Sequence, residues 1–207
     1  MTELILASAS PARLATLRRA GVEPTVVVSG VDETAYRGGT PEELALALAV
    51  AKAERVAATV TEGVVVACDS VLDVDGEAFG KPADAAAAAQ RWHLLRGRSA
   101  DLVTGHCVIE VAAHRQRAAA ARSRVVFAAI SDAEIDAYVA TGEPLVAAGA
   151  FTIDGLGAPF VEAVYGDPHN VIGISLPLLR RMLADLGIAW ISLWRSDQTA
   201  DPSGRRR

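Results

Sequence analysis

The stretch "VVVACDSVLDVDGEAFGKP", Val64 to Pro82, decides how this chain is read. It opens on a continuous apolar run, Val64 to Cys68, the pattern of a strand buried on both faces of a sheet. The run leads straight into Asp69, at the carboxyl end of what reads as the most hydrophobic strand, where open α/β sheets place their ligand crevice. Asp75-Gly76 is a hairpin signal, and Lys81 follows the aspartate by twelve residues. A carboxylate in that place is costly unless a cation or a metal meets it. The ordinary alternative is a strand-end aspartate that caps the following turn.

Working outward, Leu4–Ala7 reads as a short buried strand, and Ser10-Pro11 as an N-cap with proline at the first helical position, closed by Gly21. Thr25–Ser29 is a second strand. Thr40-Pro41-Glu42-Glu43 fits a capping box for a helix to about Thr59. An Ala-rich helix is expected from about Ala83 to Arg96, and two long strands near Leu102–Val111 and Ala118–Ala129. Ser131-Asp132-Ala133-Glu134 is a second capping box, for a helix ending before Gly142. Strand-like segments follow at Gly149–Ile153 and Phe160–Val164, then a helix, Leu176–Leu186, and a last strand, Ala189–Leu193. Strands and helices interleave without strict alternation, which predicts an α/β fold with a mixed sheet in one domain, 1–195. Residues 196–207, "SDQTADPSGRRR", read as a disordered tail.

At 51% apolar and 22% charged residues the chain reads as globular. The longest apolar run, Leu44–Ala51, is far short of a membrane span. Met1-Thr2-Glu3 opens no basic-then-apolar signal, and Cys68 and Cys107 make neither a disulfide framework nor a CxxC pair, so the expected location is cytoplasmic. The formal charge is −5, a poor balance for a general nucleic-acid binder. A phosphate ligand would have to be held by local cations or by a metal.

Those cations are distinctive. Lysine occurs at Lys52 and Lys81 and nowhere else, while the other eighteen of twenty basic residues are arginines. Lysine's compact ammonium and arginine's planar fork are not interchangeable near a phosphate or a metal-bound water. Lys81 lies in "FGKP", which is no Walker loop, and a surface lysine beside a helix start is its ordinary reading. Lys52, four residues after Leu48 and eight after Leu44, sits at the edge of an apolar helix stripe, where a snorkelling stem is the ordinary reading. "SASPAR" sets Ser8, Ser10 and Arg13 around a helix N-terminus, a potential anion site as well as a common Ser-Pro cap. Asp32-Glu33 suits either a metal ligand or an acidic turn. His93, His106, His114 and His169 have no metal-ligand spacing and read as structural or surface residues.

Taken together, "LILASASPARLATL", "SGVDE", "AKAERVA", "VVVACDSVLDVDGEAFGKP", "LLRGRSADLVTGHCV", "ISDAEIDAYVATGEP" and "AGAFTIDGLGAPFVEAVYGDPHNVIGISLPLL" resemble the Maf family of nucleoside triphosphate pyrophosphatases. The resemblance covers nearly everything before the tail. It implies an α/β sheet with two lobes around a central cleft, similar to inosine-triphosphatase-type enzymes. It also implies hydrolysis of a nucleoside triphosphate to monophosphate and pyrophosphate, clearing non-standard nucleotides, with a divalent cation (Mg²⁺ or Mn²⁺), and members that often form homodimers. Carried over by position, Asp69, Lys81 and Lys52 are the catalytic set, with Asp69 as proton acceptor. Glu33 and Asp69 are the metal ligands. Ser8, Ser10, Arg13, Ser70 and Asp154 face the substrate.

Three positions depart from the family pattern. Ala12 stands where relatives often carry a second arginine, Ser70 where they carry Thr or Gln, and Asp154 where they carry Gln or Glu. A carboxylate at 154 only accepts hydrogen bonds, which suits adjacent N–H and NH₂ groups of guanine, or an exocyclic amine, better than the carbonyl and imide of uracil or thymine. Two competing readings stay open on the residues: a regulatory protein, for example in cell-division control, that grips a triphosphate without turnover, and a phosphatase releasing orthophosphate one unit at a time.

Overall fold

In the computed structural model, which describes residues 3–36 and 39–194, the apolar run at Val64 becomes the centre of a seven-stranded sheet. The strands are β1 (Leu4–Leu6), β2 (Thr25–Val26), β3 (Val64–Val74), β4 (Glu77–Phe79), β5 (Ser99–Glu110), β6 (Arg115–Phe127) and β7 (Val161–Tyr165). The helices are α1 (Pro11–Arg19), α2 (Pro41–Ala57), α3 (Ala85–Leu95), α4 (Asp132–Ala140), α5 (Pro168–Ile172) and α6 (Leu176–Asp185). Strand order is β2-β1-β3-β5-β6-β7 with β4 also on β3; β1 runs parallel to β2 and β3, and every other pairing is antiparallel. The mixed α/β sheet expected from the sequence is present. Both capping boxes form, Thr40 with Glu43 and Ser131 with Glu134, and Ser10 caps α1. The segment 196–207, expected as a tail, lies outside the described residues.

Four expectations need correction. β3 does not stop at Asp69 but runs on to Val74, because Val71, Leu72 and Val74 keep burying side chains on both faces. Gly149–Ile153 is not a strand: Gly149 and Ala150 take left-handed φ values of 76° and 65°, which bend the chain into a 3₁₀ turn at Ala148–Ala150. Ala189–Leu193 is not a strand either. Among the described residues its run finds no neighbour to form a ladder with, and it coils as a 3₁₀ turn, Trp190–Leu193, beside an isolated bridge from Val22 to Trp194. The second strand is shorter than expected, only Thr25–Val26, and α5 was not anticipated at all.

The side-chain period of two divides the structure into faces. Odd positions of β3 (Val65, Ala67) join Ala49, Ala53 and Val56 of α2 in one core. Even positions face the other way and build two cores. Val64, Val66 and Cys68 pack with α1 and α6, whereas Leu72 and Val74 pack with Trp92 of α3 and Ile135 and Tyr138 of α4. Between those two cores lies a seam of polar residues: Ser70 on β3, Thr104 and His106 on β5, and Ser123 on β6, with Asn170 of α5 laid across it. The two lobes expected from the sequence are thus two cores on one face of a continuous sheet.

Glycine at one position sets how closely α2 lies on the other face. A Cβ on Gly105, which pairs with Asp69, would sit 2.2 Å from the carbonyl oxygen of Ala45 in α2. Backbone cannot yield there as a flexible side chain would. Gly105→Ala is therefore expected to cost about 2 kcal/mol or more of folding stability, measured by denaturant unfolding.

His106 fastens the seam to α6. Its Nε2 accepts the Ser175 N–H at 2.8 Å, so the ring's proton is on Nδ1, which donates to the Thr104 carbonyl at 3.0 Å. Burial lowers its pKa to about 4. Below its ordinary 6.5 an unfolded chain binds a proton that the folded chain refuses, so folding stability falls as pH drops from about 6.5 towards 4. Across that window the wild type should lose about 1.4 kcal/mol per pH unit more than His106→Gln, whose amide oxygen can still accept from Ser175. Equal slopes for the two proteins would show that His106 is not buried neutral.

Candidate active site

Strand β3 is paired with β5 along almost its whole length, but its other edge is interrupted. β1 covers Val64–Val66 and β4 covers Leu72–Val74, so among the described residues the edge from Ala67 to Val71 has no partner strand. The result is a notch in the sheet. The loop after β1, Ser8–Ser10, forms one rim. β4 runs back towards the notch, its Phe79 opposite Leu72, and delivers Gly80 and Lys81 to the other rim. Asp69 and Ser70 are consecutive in the unpaired stretch, and so face opposite sides of the sheet.

On the α2 side, Asp69 and Lys52 are 7% and 8% exposed, and Lys52 Nζ lies 2.5 Å from Asp69 Oδ1. The same ammonium is 2.6 Å from Oε1 of Glu33, which stands on a 3₁₀ turn, Glu33–Ala35, capped by Asp32. Burial pushes the Asp69 carboxyl above its ordinary value; Lys52 and, less strongly, Arg13 oppose the rise, and Glu33 adds to it. An unpaired charge at such depth would be prohibitive, so each half of this pair depends on the other. Lys52 is no snorkelling stem. Asp32 is the acidic turn residue that the ordinary reading described, while Glu33 reaches the site.

On the α6 side, Arg13 is held in three directions. Its Nε donates to the Gly173 carbonyl at 2.8 Å, one terminal nitrogen to Ser8 Oγ at 3.2 Å, and the other to Ser70 Oγ at 3.1 Å. Ser8 Oγ also accepts the Ser10 N–H at 3.1 Å, and Ser10 Oγ accepts the Arg13 N–H at 3.4 Å, which winds the loop around the helix start. Ser70 continues to Thr104 Oγ1 at 2.9 Å. A guanidinium beside serine hydroxyls at the positive end of a helix is a site that favours an anion.

The structure therefore brings together Ser8, Ser10, Arg13 and Ser70 on one side of the notch, and Glu33, Lys52 and Asp69 on the other. Lys81 is exposed on the rim. Its turn is anchored through the Gly80 carbonyl, which accepts from Gly149 N–H at 3.1 Å and from Arg91 at 2.5 Å. Asp154 is not joined to either set. It is exposed in a loop that hangs on Glu143, whose carboxylate accepts from Tyr138 Oη, Thr152 Oγ1, Leu156 N–H and Gly157 N–H at 2.6–3.0 Å. Thr104, Asn170 and Gly173, which complete the Arg13 side, were not singled out from the sequence. The only local signal was polar Thr104 and His106 at alternate positions inside an apolar strand.

The two carboxylates also bear on metal binding. Among the described residues no group of three His, Cys, Asp or Glu side chains is placed to hold an ion. Glu33 and Asp69 instead turn their oxygens on one cationic point, a donor set that suits an ion of the magnesium type, which takes one or two carboxylates and completes its shell from water and phosphates. No helix among the described residues is long and apolar enough to cross a membrane.

Comparison with known proteins agrees in extent with this layout. The family model described as "Maf-like protein" matches residues 3–186. A nucleoside triphosphate pyrophosphatase of Streptomyces coelicolor is 58% identical over 193 residues, covering 92% of this chain and 94% of its own. One of Salinispora tropica is 54% identical over 205 residues, covering 97% and 91%. Among solved structures, the Staphylococcus aureus Ham1 protein overlaps 61% of this chain and 72% of its own, at 20% identity and a TM-score of 0.45. With a match that spans every strand and helix from β1 to α6, the chain belongs to the Maf-like protein family.

Proposed function

We propose that this chain hydrolyses a nucleoside triphosphate to the nucleoside monophosphate and pyrophosphate. The observation that carries the reading is the buried Asp69–Lys52–Glu33 group at a notch whose opposite side is the Arg13 anion site. A binding protein would need the cations, but a carboxylate set beside a polyanion works against binding and is accounted for by proton transfer. The printed names of the relatives, nucleoside triphosphate pyrophosphatase, point the same way. A regulatory protein without turnover is therefore not favoured.

In this reading the triphosphate lies along the notch. Arg13, with Ser8, Ser10 and Ser70, holds phosphate oxygens, and Lys81 on the rim meets the charge that builds on the pyrophosphate as it leaves. Asp69 takes the proton from the water whose oxygen bonds to phosphorus while the α–β anhydride bond breaks. Burial raises its affinity for that proton, and the ammonium of Lys52 opposes the rise. Glu33 and Asp69 would hold a divalent cation, Mg²⁺ or Mn²⁺, which when bound supplies charge neutralisation and a more acidic water. A cytoplasmic nucleotide pool is the matching substrate source, nucleic acid is not a ligand, and a homodimer is the assembly the family resemblance suggests.

The decisive assay is a panel of standard and modified nucleotides with Mg²⁺ or Mn²⁺, scored separately for pyrophosphate and orthophosphate. Pyrophosphate in proportion to monophosphate is expected, and stepwise orthophosphate would replace this reading with that of a phosphatase. Asp69→Asn leaves Lys52 paired with Glu33, so it should fold, and it should lose at least about 100-fold in turnover. Lys81→Arg should also be damaging although the charge is kept.

Asp154 sets the expected base preference. The wild type should disfavour UTP and dTTP relative to GTP and CTP, and Asp154→Gln should shift kcat/KM towards the pyrimidine imides. A strong wild-type preference for dTTP or UTP contradicts this role for Asp154.

A further inference from the structure

Asn170 touches none of the groups placed in catalysis, yet it is fully buried in the polar seam behind Arg13 and Ser70. Its Nδ2 donates to the Leu102 carbonyl and to Ser123 Oγ, each at 3.1 Å. The carbonyl can only accept, so the orientation of the amide is fixed. The Ser123 hydroxyl in turn donates to the Asp167 carbonyl at 2.9 Å. Asp167 is the N-cap of α5, so these bonds tie that helix to β5 and β6 at its start and its middle. Five residues are too few for a helix to hold itself, and α5 stands where its ties put it.

Two main-chain carbonyls of this segment reach towards the site. That of Asn170 accepts from Thr104 Oγ1 at 3.1 Å, and that of Gly173, the C-cap, accepts from Arg13 Nε at 2.8 Å. Because the Thr104 hydroxyl proton goes to Asn170, the Ser70–Thr104 contact must have Ser70 as donor, and Ser70 Oγ is then left to accept from Arg13. The donors line up in one direction: Arg13 to Ser70, Ser70 to Thr104, Thr104 to the Asn170 carbonyl. Gly173 closes the circuit from the other end of α5. At φ 119°, a Cβ there would stand 3.1 Å from Arg13 Nε, so the guanidinium is packed against this backbone as well as bonded to it.

We propose that Asn170 is a positioning residue: its side chain fixes α5, and α5 in turn aims Arg13 and Ser70 at the phosphate through the Gly173 carbonyl and Thr104. This rests on the reading of Arg13 as a phosphate-binding residue. The test measures affinity by calorimetry with Mg²⁺ in the full chain for a triphosphate analogue whose α–β bridging oxygen is replaced by methylene, so that turnover does not interfere. Asn170→Ala is expected to weaken binding about tenfold. In an Arg13→Lys background, which keeps the charge but not the three-way hold, the same change should weaken binding less than about twofold, because the aim is already lost. Thr104→Val, nearly equal in volume, should behave alike and serves if Asn170→Ala does not fold. Losses that add in full across the two backgrounds, or a folded Asn170→Ala that binds as its parent does, would overturn the proposal. A parent that binds no analogue while remaining folded would instead overturn the reading of the site on which it stands.

Discussion

The ion pair between Lys52 and Asp69 is the constraint from which the rest of the site follows. A carboxylate next to a triphosphate is repelled by its ligand, and a buried one is also deprived of water. Lys52 answers both difficulties at a separation of 2.5 Å, and it serves Glu33 with the same ammonium. The pair does not add much to stability, since desolvation of two charges consumes most of their attraction. What it secures is an acid at a defined place. Everything that brings α2 to the sheet serves that end, including the bare backbone of Gly105 opposite Asp69.

The interrupted edge of β3 explains why the two halves of the site are on different faces and yet act on one ligand. Consecutive residues of a strand point apart, so Asp69 and Ser70 could not cooperate across an intact sheet. Where β1 has ended and β4 has not begun, the sheet is one strand narrower, and both faces open on the same gap. The acid side then rests on a helix packed by small residues, Ala45, Ala49 and Ala53, while the anion side rests on hydrogen bonds among hydroxyls, an amide and main-chain carbonyls. Close packing fixes the first and directional bonding the second.

Much of this was legible in the residues. The β-branched run at Val64, both capping boxes and the Ser10-Pro11 helix start each have a local physical cause, and each formed. The failures share the opposite property. Ala189–Leu193 has strand-like composition, but a strand needs a neighbour, and only the three-dimensional arrangement decides whether one is there. Asp69 ends no strand; what ends beside it is β1, sixty residues earlier in the chain. Thr104 and Asn170 belong to the site only because β5 and α5 converge behind Arg13; a polar Thr104 inside an apolar strand signals a buried partner without saying which, and Asn170 carries no local signal. Lys52 was marked by its rarity in an arginine-rich chain, while Glu33 was indistinguishable from any acidic turn until the turn was placed over α2.

That rarity now has a geometric cause. Lys52 must satisfy two carboxylates that reach it from different elements, one on a strand and one on a 3₁₀ turn. An ammonium offers three donors arranged around a point and can turn one towards each. A guanidinium offers its donors in a plane, in the fork that matches a single carboxylate. Arginine at this position would claim one partner and displace the other, which separates Glu33 from Asp69 and dismantles the paired donor set. Arginine serves where a charge alone is wanted, as with the exposed side chains of Arg18, Arg98 and Arg124, but not where one cation has to be shared at depth.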